Sequence, residues 1–150
     1  MNQRTHYHHF WATNRPLNDR EWFPLVNDVA RILRTCDDWS IYLIKQTSKY
    51  KRIRIDSLAP RDYSLFELSP EPVSFACVRT NWEMYDVCVT AAMLVAKRRL
   101  PDWIKLTSDG LWKDWQPARD ICSEVLGYKE KDFSAARQDF MELLPAEERT

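Results

Sequence analysis

Glycine is scarce. The 150 residues contain 2 glycines, where average usage of about 7% would give roughly ten. Gly110 and Gly127 alone cannot write G-x-G-x-x-G or G-x-x-x-x-G-K-[ST], so glycine-rich phosphate loops are excluded. Net charge is lacking as well: 22 basic groups face 22 acidic ones. That balance argues against a protein that wraps duplex DNA, and equally against an acidic DNA mimic. No C-x-x-C pair occurs among Cys36, Cys77, Cys88 and Cys122, which excludes a zinc ribbon or a thioredoxin-type site. Cys77, Cys88 and Cys122 sit beside apolar residues, and the cysteines read as small core hydrophobes. Neither G-x-S-x-G nor H-E-x-x-H is present. The longest uncharged run, Val87 to Ala96, is too short to span a bilayer, and no secretory hydrophobic region follows Met1. The expectation is a reduced, cytoplasmic protein without membrane contact, cofactor or metal.

What is present is core-forming material. Seven Trp, six Tyr and six Phe argue against disorder, and the length suits one domain over 1–150. Thr5 to Thr13 reads as a strand. Asn18 with Glu21 forms a capping box for a helix carrying Trp22, Leu25, Val26, Val29, Ile32 and Leu33, with Pro24 expected to kink it or delay its start. Trp39 to Gln46 and Tyr50 to Asp56 alternate as a hairpin, followed by short strands at Leu65 to Leu68 and Val73 to Arg79. Lys45, Lys49, Lys51, Arg52, Arg54 and Arg61 against Asp56 make a local basic excess. It reads as a modest basic patch, enough for a nucleotide or a short RNA contact, or as a solvated hairpin with a charged edge.

Thr80 and Glu83 suggest a second capping box for a helix from Asn81 to Leu100, apolar nearly all round. Such a helix is central, or is covered by a second subunit in a homo-oligomer. Asp102 to Thr107 returns as a strand. Pro117 opens a third helix that Gly127 closes, and Phe133 to Leu144 forms a fourth. The order predicts an α+β fold: a single mixed or antiparallel sheet with helices mainly on one face, ferredoxin-like with added C-terminal helices.

Chemistry-bearing residues gather in three places. His6, His8 and His9 share the first strand, with His6 and His8 on one face and His9 on the other. A phosphodiesterase would use His6 or His8 as acid or base, with Arg79 stabilising phosphate charge; two histidines from one strand face each other poorly for that task. Asp86 lies just past Arg79, Thr80 and Asn81 at a helix start, where free N–H groups favour anions. It is equally an ordinary first-turn acid. The third place is Ser108-Asp109-Gly110-Leu111-Trp112-Lys113-Asp114-Trp115, a strand end and turn leading into a helix. Its tryptophans either stack on a ligand or plug the helix start.

Cys77 to Asp86 (C-V-R-T-N-W-E-M-Y-D) and Ser108 to Asp120 (S-D-G-L-W-K-D-W-Q-P-A-R-D) together carry a pattern [KR]-T-x4-Y-D followed by S-D-G-x-W. In this the segment Phe75 to Gly127 resembles small uncharacterised proteins of bacteriophages and other large DNA viruses. The resemblance implies a viral accessory or anti-defence role in host cytosol. The expected function is non-catalytic binding of a small anionic, nucleotide-like ligand or of a host protein. Candidate ligand-binding residues are Arg79, Thr80, Asn81, Tyr85, Asp86, Ser108, Asp109, Gly110, Trp112 and Trp115.

Overall fold

The computed structural model describes residues 7–36, 41–46, 49–57 and 62–142. In chain order the elements are β1 (His8–Thr13), α1 (Asp19–Leu33), β2 (Ile41–Gln46), β3 (Lys49–Ile55), β4 (Phe66–Leu68), β5 (Val73–Arg79), α2 (Asp86–Arg99), β6 (Ile104–Ser108), α3 (Gln116–Leu126) and α4 (Ser134–Met141). The class is α+β, as the sequence suggests.

Helix α1 starts where its capping box places it. Asn18 Oδ1 accepts from the Glu21 N–H at 3.0 Å, and Glu21 Oε1 accepts from the Asn18 N–H at 3.2 Å. Two guanidinium N–H groups of Arg15 donate to the same carboxylate at 3.0 and 2.7 Å, holding the Glu21 carboxyl below its usual range. Pro24 sits inside the helix without delaying its start; its missing N–H deprives one first-turn carbonyl of a partner.

Helix α2 begins five residues later than Asn81. Asn81 and Trp82 have φ of 51° and 64°, a left-handed conformation that no right-handed helix accommodates. The Thr80–Glu83 capping box is also absent: the Thr80 hydroxyl donates to Asp86 at 2.5 Å, and Thr80 contributes only its carbonyl to Glu83 N–H. Once started, α2 is the central helix. Cys88 through Ala96 are essentially inaccessible, enclosed by α1, α3, α4 and β6 of the same chain. Helix α3 carries Pro117 in its first turn and stops at Gly127, whose φ of 73° is the left-handed cap that favours glycine.

The expected single sheet is divided in two. Strands run in the order β5-β1-β6 in one sheet and β2-β3-β4 in the other, every pairing antiparallel. The break falls between β4 and β5. Strand β4 has three residues, and Pro70 and Pro72 follow it; proline cannot donate to a ladder, and the Pro70 carbonyl instead accepts from Leu17 N–H at 2.9 Å. What survives of the ferredoxin-like expectation is a split β-α-β unit: β5 and β6, joined through α2, lie on either side of β1. Both sheets feed one core, with Trp11 of β1 packed on Phe66 of β4 at 4.9 Å between ring centres. Of the basic excess, Arg52 and Arg54 pair with Glu67; the other four side chains lie outside the described residues. No described helix is long and apolar enough to cross a membrane.

The capping box makes a direct prediction. Asn18→Ala should lower stability by about 1 kcal/mol, read as a shifted urea midpoint at constant slope; an unchanged midpoint would show that the cap carries no weight in α1.

Candidate functional site

Strand β1 alternates strictly: His9, Trp11 and Thr13 are buried, while His8, Phe10 and Ala12 face the other side and remain partly open. This alternation separates two sets of functional groups that lie one residue apart in sequence.

On the inner side, His9 is wholly buried. Its Nε2 lies 2.6 Å from Asp86 Oδ1, which also accepts from the Thr80 hydroxyl. Its Nδ1 lies 2.8 Å from Ser108 Oγ. That oxygen accepts from Gly110 N–H at 2.9 Å and from Trp115 Nε1 at 3.4 Å, so its own proton points to His9 Nδ1. The imidazole therefore carries its proton on Nε2, directed at Asp86. The edges of Tyr7 and Trp115 close on the ring at 4.8 and 5.2 Å.

Serine, histidine and aspartate in a row are the groups of a hydrolytic triad, but their surroundings assign another task. A nucleophilic serine needs a free lone pair and an open approach. Both acceptor positions of Ser108 are taken by N–H donors, the Gly110 amide and the Trp115 indole. The row ties β1, β6 and the start of α2 together as a satisfied buried network.

Tyr7 seals this network. Its ring stacks on Trp82 at 3.5 Å and 12°, and its backbone N–H donates to Asn81 Oδ1 at 3.3 Å. The Tyr7 hydroxyl is buried and makes no hydrogen bond among the described residues. Burial, with the Asp86 charge second, pushes its pKa well up. A Cβ on Gly110 would fall 2.3 Å from that hydroxyl, so at this turn glycine serves close approach.

The two sequence segments thus converge, but mostly inward. Thr80, Asp86, Ser108, Gly110 and Trp115 meet around His9 and Tyr7. Trp115 is fully buried and packs on Phe140 at 4.9 Å, in the manner of a plug. Trp112 also packs on Phe140, and its other face lies under Arg119, 4.3 Å from the ring centre. The Tyr85 hydroxyl donates to the Ser64 and Arg79 carbonyls. Asn81 takes its left-handed turn beneath Trp82. His6 lies outside the described residues, and among those described no group of three or more His, Cys, Asp or Glu is placed to hold a metal ion.

The outer side of the sheet holds the remaining candidates, Arg79 and Asp109, with His8 between them. His8 Nδ1 is 3.1 Å from Asp109 Oδ2, which also accepts from the His8 backbone N–H at 3.0 Å. Arg79 lies directly across the ladder from His8. One of its terminal N–H groups donates to the Asp62 carbonyl at 3.3 Å. Its Nε is buried without a hydrogen-bond partner among the described residues, and no described carboxylate forms an ion pair with it. Beyond His8 the same face carries Phe10, 5.9 Å from the imidazole, and Phe75, 5.6 Å from Phe10. A register shift opposite Ala12 gives β5 an extra residue there, and Phe75 stands 65% exposed.

Sequence reasoning missed His9, Tyr7, Phe10 and Phe75 as site residues. The period-2 pattern of Thr5 to Thr13 already set His8 and Phe10 on one face and Tyr7 and His9 on the other; the partners from β5 and β6 had no sequence signal. Comparison with protein-family models, with curated proteins and with solved structures finds no match to this chain.

Two substitutions test the inner network. His9→Leu leaves Asp86 and Ser108 each short of a buried partner and should cost about 2–3 kcal/mol in urea unfolding; a loss below about 0.5 kcal/mol would mean the network is not formed. Tyr7→Phe removes an unsatisfied hydroxyl and should leave stability at pH 7 unchanged or raise it by up to about 1 kcal/mol. A tyrosine with a raised folded pKa keeps its contribution below the unfolded value of 10.0 and loses it as pH rises beyond. Stability of the parent should therefore fall above pH 10, and less steeply in Tyr7→Phe, where Tyr128 still contributes through its own burial.

Proposed function

We propose that the protein is a non-catalytic binding protein for a nucleotide-like anion, held at the end of the outer sheet face where Arg79, His8 and Asp109 meet. The observation that carries this reading is Arg79. No described carboxylate pairs with its guanidinium, and only one terminal nitrogen has a hydrogen bond among the described residues, to the Asp62 carbonyl, so the charge lacks a counter-ion that acceptors on an anion from outside would supply. Phosphate supplies such acceptors in the bidentate geometry that guanidinium favours. Beside Arg79, His8 Nε2 has no hydrogen bond among the described residues, while its Nδ1 is held by Asp109. With Nδ1–H given to that carboxylate, Nε2 of the neutral ring is an acceptor, so Arg79 is the site's donor to an anion and the site suits a single phosphate. The inner network supports binding over catalysis, because its serine and histidine are spent on each other.

The viral resemblance supports an accessory or anti-defence setting for such a binder. A blocked host protein is the second reading, favoured by Trp82, Met84 and Leu111, which are 38%, 73% and 53% exposed near the same end of the sheet. The enzymatic alternative keeps His8 as acid or base with Arg79 on phosphate, oriented by Asp109.

Calorimetry against nucleoside mono-, di- and cyclic phosphates tests the reading. Binding is expected, with Arg79→Met weakening it at least tenfold while the urea midpoint stays near that of the parent. No heat with any nucleotide overturns it. Conversion of a nucleotide that stops in His8→Ala, followed by chromatography of products, would replace it with the enzymatic one.

A further inference from the structure

We propose that the ligand of this face is a single-stranded nucleic acid, its bases stacked on Phe10 and Phe75 and one phosphate on Arg79. This inference rests on the anion site proposed above and names the polymer to which the anion belongs.

Three observations carry it. First, the aromatic groups form a line: His8, Phe10 and Phe75 follow one another at 5.9 and 5.6 Å with interplanar angles of 19° and 29°. A scattered exposed phenylalanine needs no explanation, but a row of parallel rings on two adjacent strands is a stacking platform. Second, the platform stands on the side of the sheet turned away from the core, where β1 alternates to its partly open residues. Helix α2 takes the inner face of β5-β1-β6, and Phe75 is raised out of the β5 ladder by the register shift opposite Ala12. Third, the charge is placed for a strand rather than for a protein. Arg79 is directly across from His8, at the end of the row, and Lys105 at the other end is already committed to Asp139 and Glu142. One cation at one end of a run of rings matches a phosphate followed by bases.

The other occupants fit this face less well. A second copy of the chain, laid sheet on sheet, would take the guanidinium of Arg79, which no described carboxylate meets, out of water. Duplex DNA hides its bases from a flat aromatic face, and zero net charge gives it little to hold. A single strand offers unstacked bases, which every aromatic ring can take regardless of sequence.

The test is fluorescence anisotropy with end-labelled oligo(U) and oligo(dT) of eight nucleotides, competed by unlabelled two-, four- and eight-nucleotide strands, by uridine monophosphate and by a duplex. Affinity should rise at least tenfold from the mononucleotide to the four-nucleotide strand and then level off. The logarithm of the binding constant should fall with the logarithm of salt with a slope near −0.7 to −1.4, the value for one or two phosphates. Phe75→Ala, a change at an exposed position, should weaken the oligonucleotides about tenfold and leave the mononucleotide within twofold; Phe75→Trp should restore the oligonucleotides. Arg79→Met should weaken both classes. A stronger oligo(U) arm assigns RNA and a stronger oligo(dT) arm assigns DNA. Mononucleotide binding with no gain in length, or oligonucleotide binding indifferent to Phe75→Ala, overturns this inference and leaves the anion site standing. Failure of both ligand classes overturns the two together, as does light scattering that shows a dimer dissolved by Phe75→Ala.

Discussion

Everything at the loop end of this fold hangs on the carboxylate of Asp86. It sits at the first turn of a helix whose Cys88 to Lys97 are shut away from water, and a carboxylate there must be met by donors or it will not stay. Thr80 supplies one hydroxyl and His9 one ring N–H, and both are possible only if the chain makes two geometric concessions. The β5–α2 connection turns through left-handed Asn81 and Trp82, so that Thr80 folds back on Asp86. Strand β1 runs between β5 and β6, so that His9 arrives beside the helix start. The position of α2, the order of the sheet and the shape of the connection thus answer one electrostatic demand.

The same demand explains why the most suggestive sequence segment turned inward. Ser108 is required at His9 Nδ1, since an imidazole that donates to Asp86 must accept elsewhere. Gly110 and Trp115 are then drawn in as donors to the serine oxygen. Only a residue without Cβ fits beneath the Tyr7 hydroxyl at Gly110, which gives one of the two glycines its place. A constellation that looks catalytic by composition becomes a clamp by geometry, because the Ser108 hydroxyl and both ring nitrogens of His9 already have partners.

Local signals were legible in the sequence wherever they acted over a few residues. Asn18 with Glu21 fixed the start of α1, Gly127 the end of α3, and the apolar wrap of Cys88 to Ala96 marked the central helix. The α+β class followed from the order of such elements. Signals were lost where a distant partner decided. Thr80 and Glu83 have the spacing of a capping box, yet the Thr80 hydroxyl bonds to Asp86 instead, past the left-handed Asn81 and Trp82, and the start of α2 falls five residues later than Asn81. The prolines at 70 and 72 were visible as breaks, but that they would divide the sheet depended on β4 being too short to compete for β5. His8 and His9 were correctly set on opposite faces by alternation, while the roles of those faces required knowing that Arg79 and Ser108 flank them.

The two faces of β1 are therefore not independent. The inner clamp fixes the height and twist of the strand at His9, and the backbone carries that constraint one residue either way, to His8 and Phe10. A stacking surface gains from such stiffness, because rings already held parallel lose little freedom when a ligand settles on them. In a chain with no net charge, long-range attraction contributes little, so the proposed binding would draw its affinity from shape and from a few well-aimed groups. A strand held on its buried side and aromatic on its open side would meet that requirement with few parts: Asp86 holds His9, and His9 holds β1, which carries His8 and Phe10.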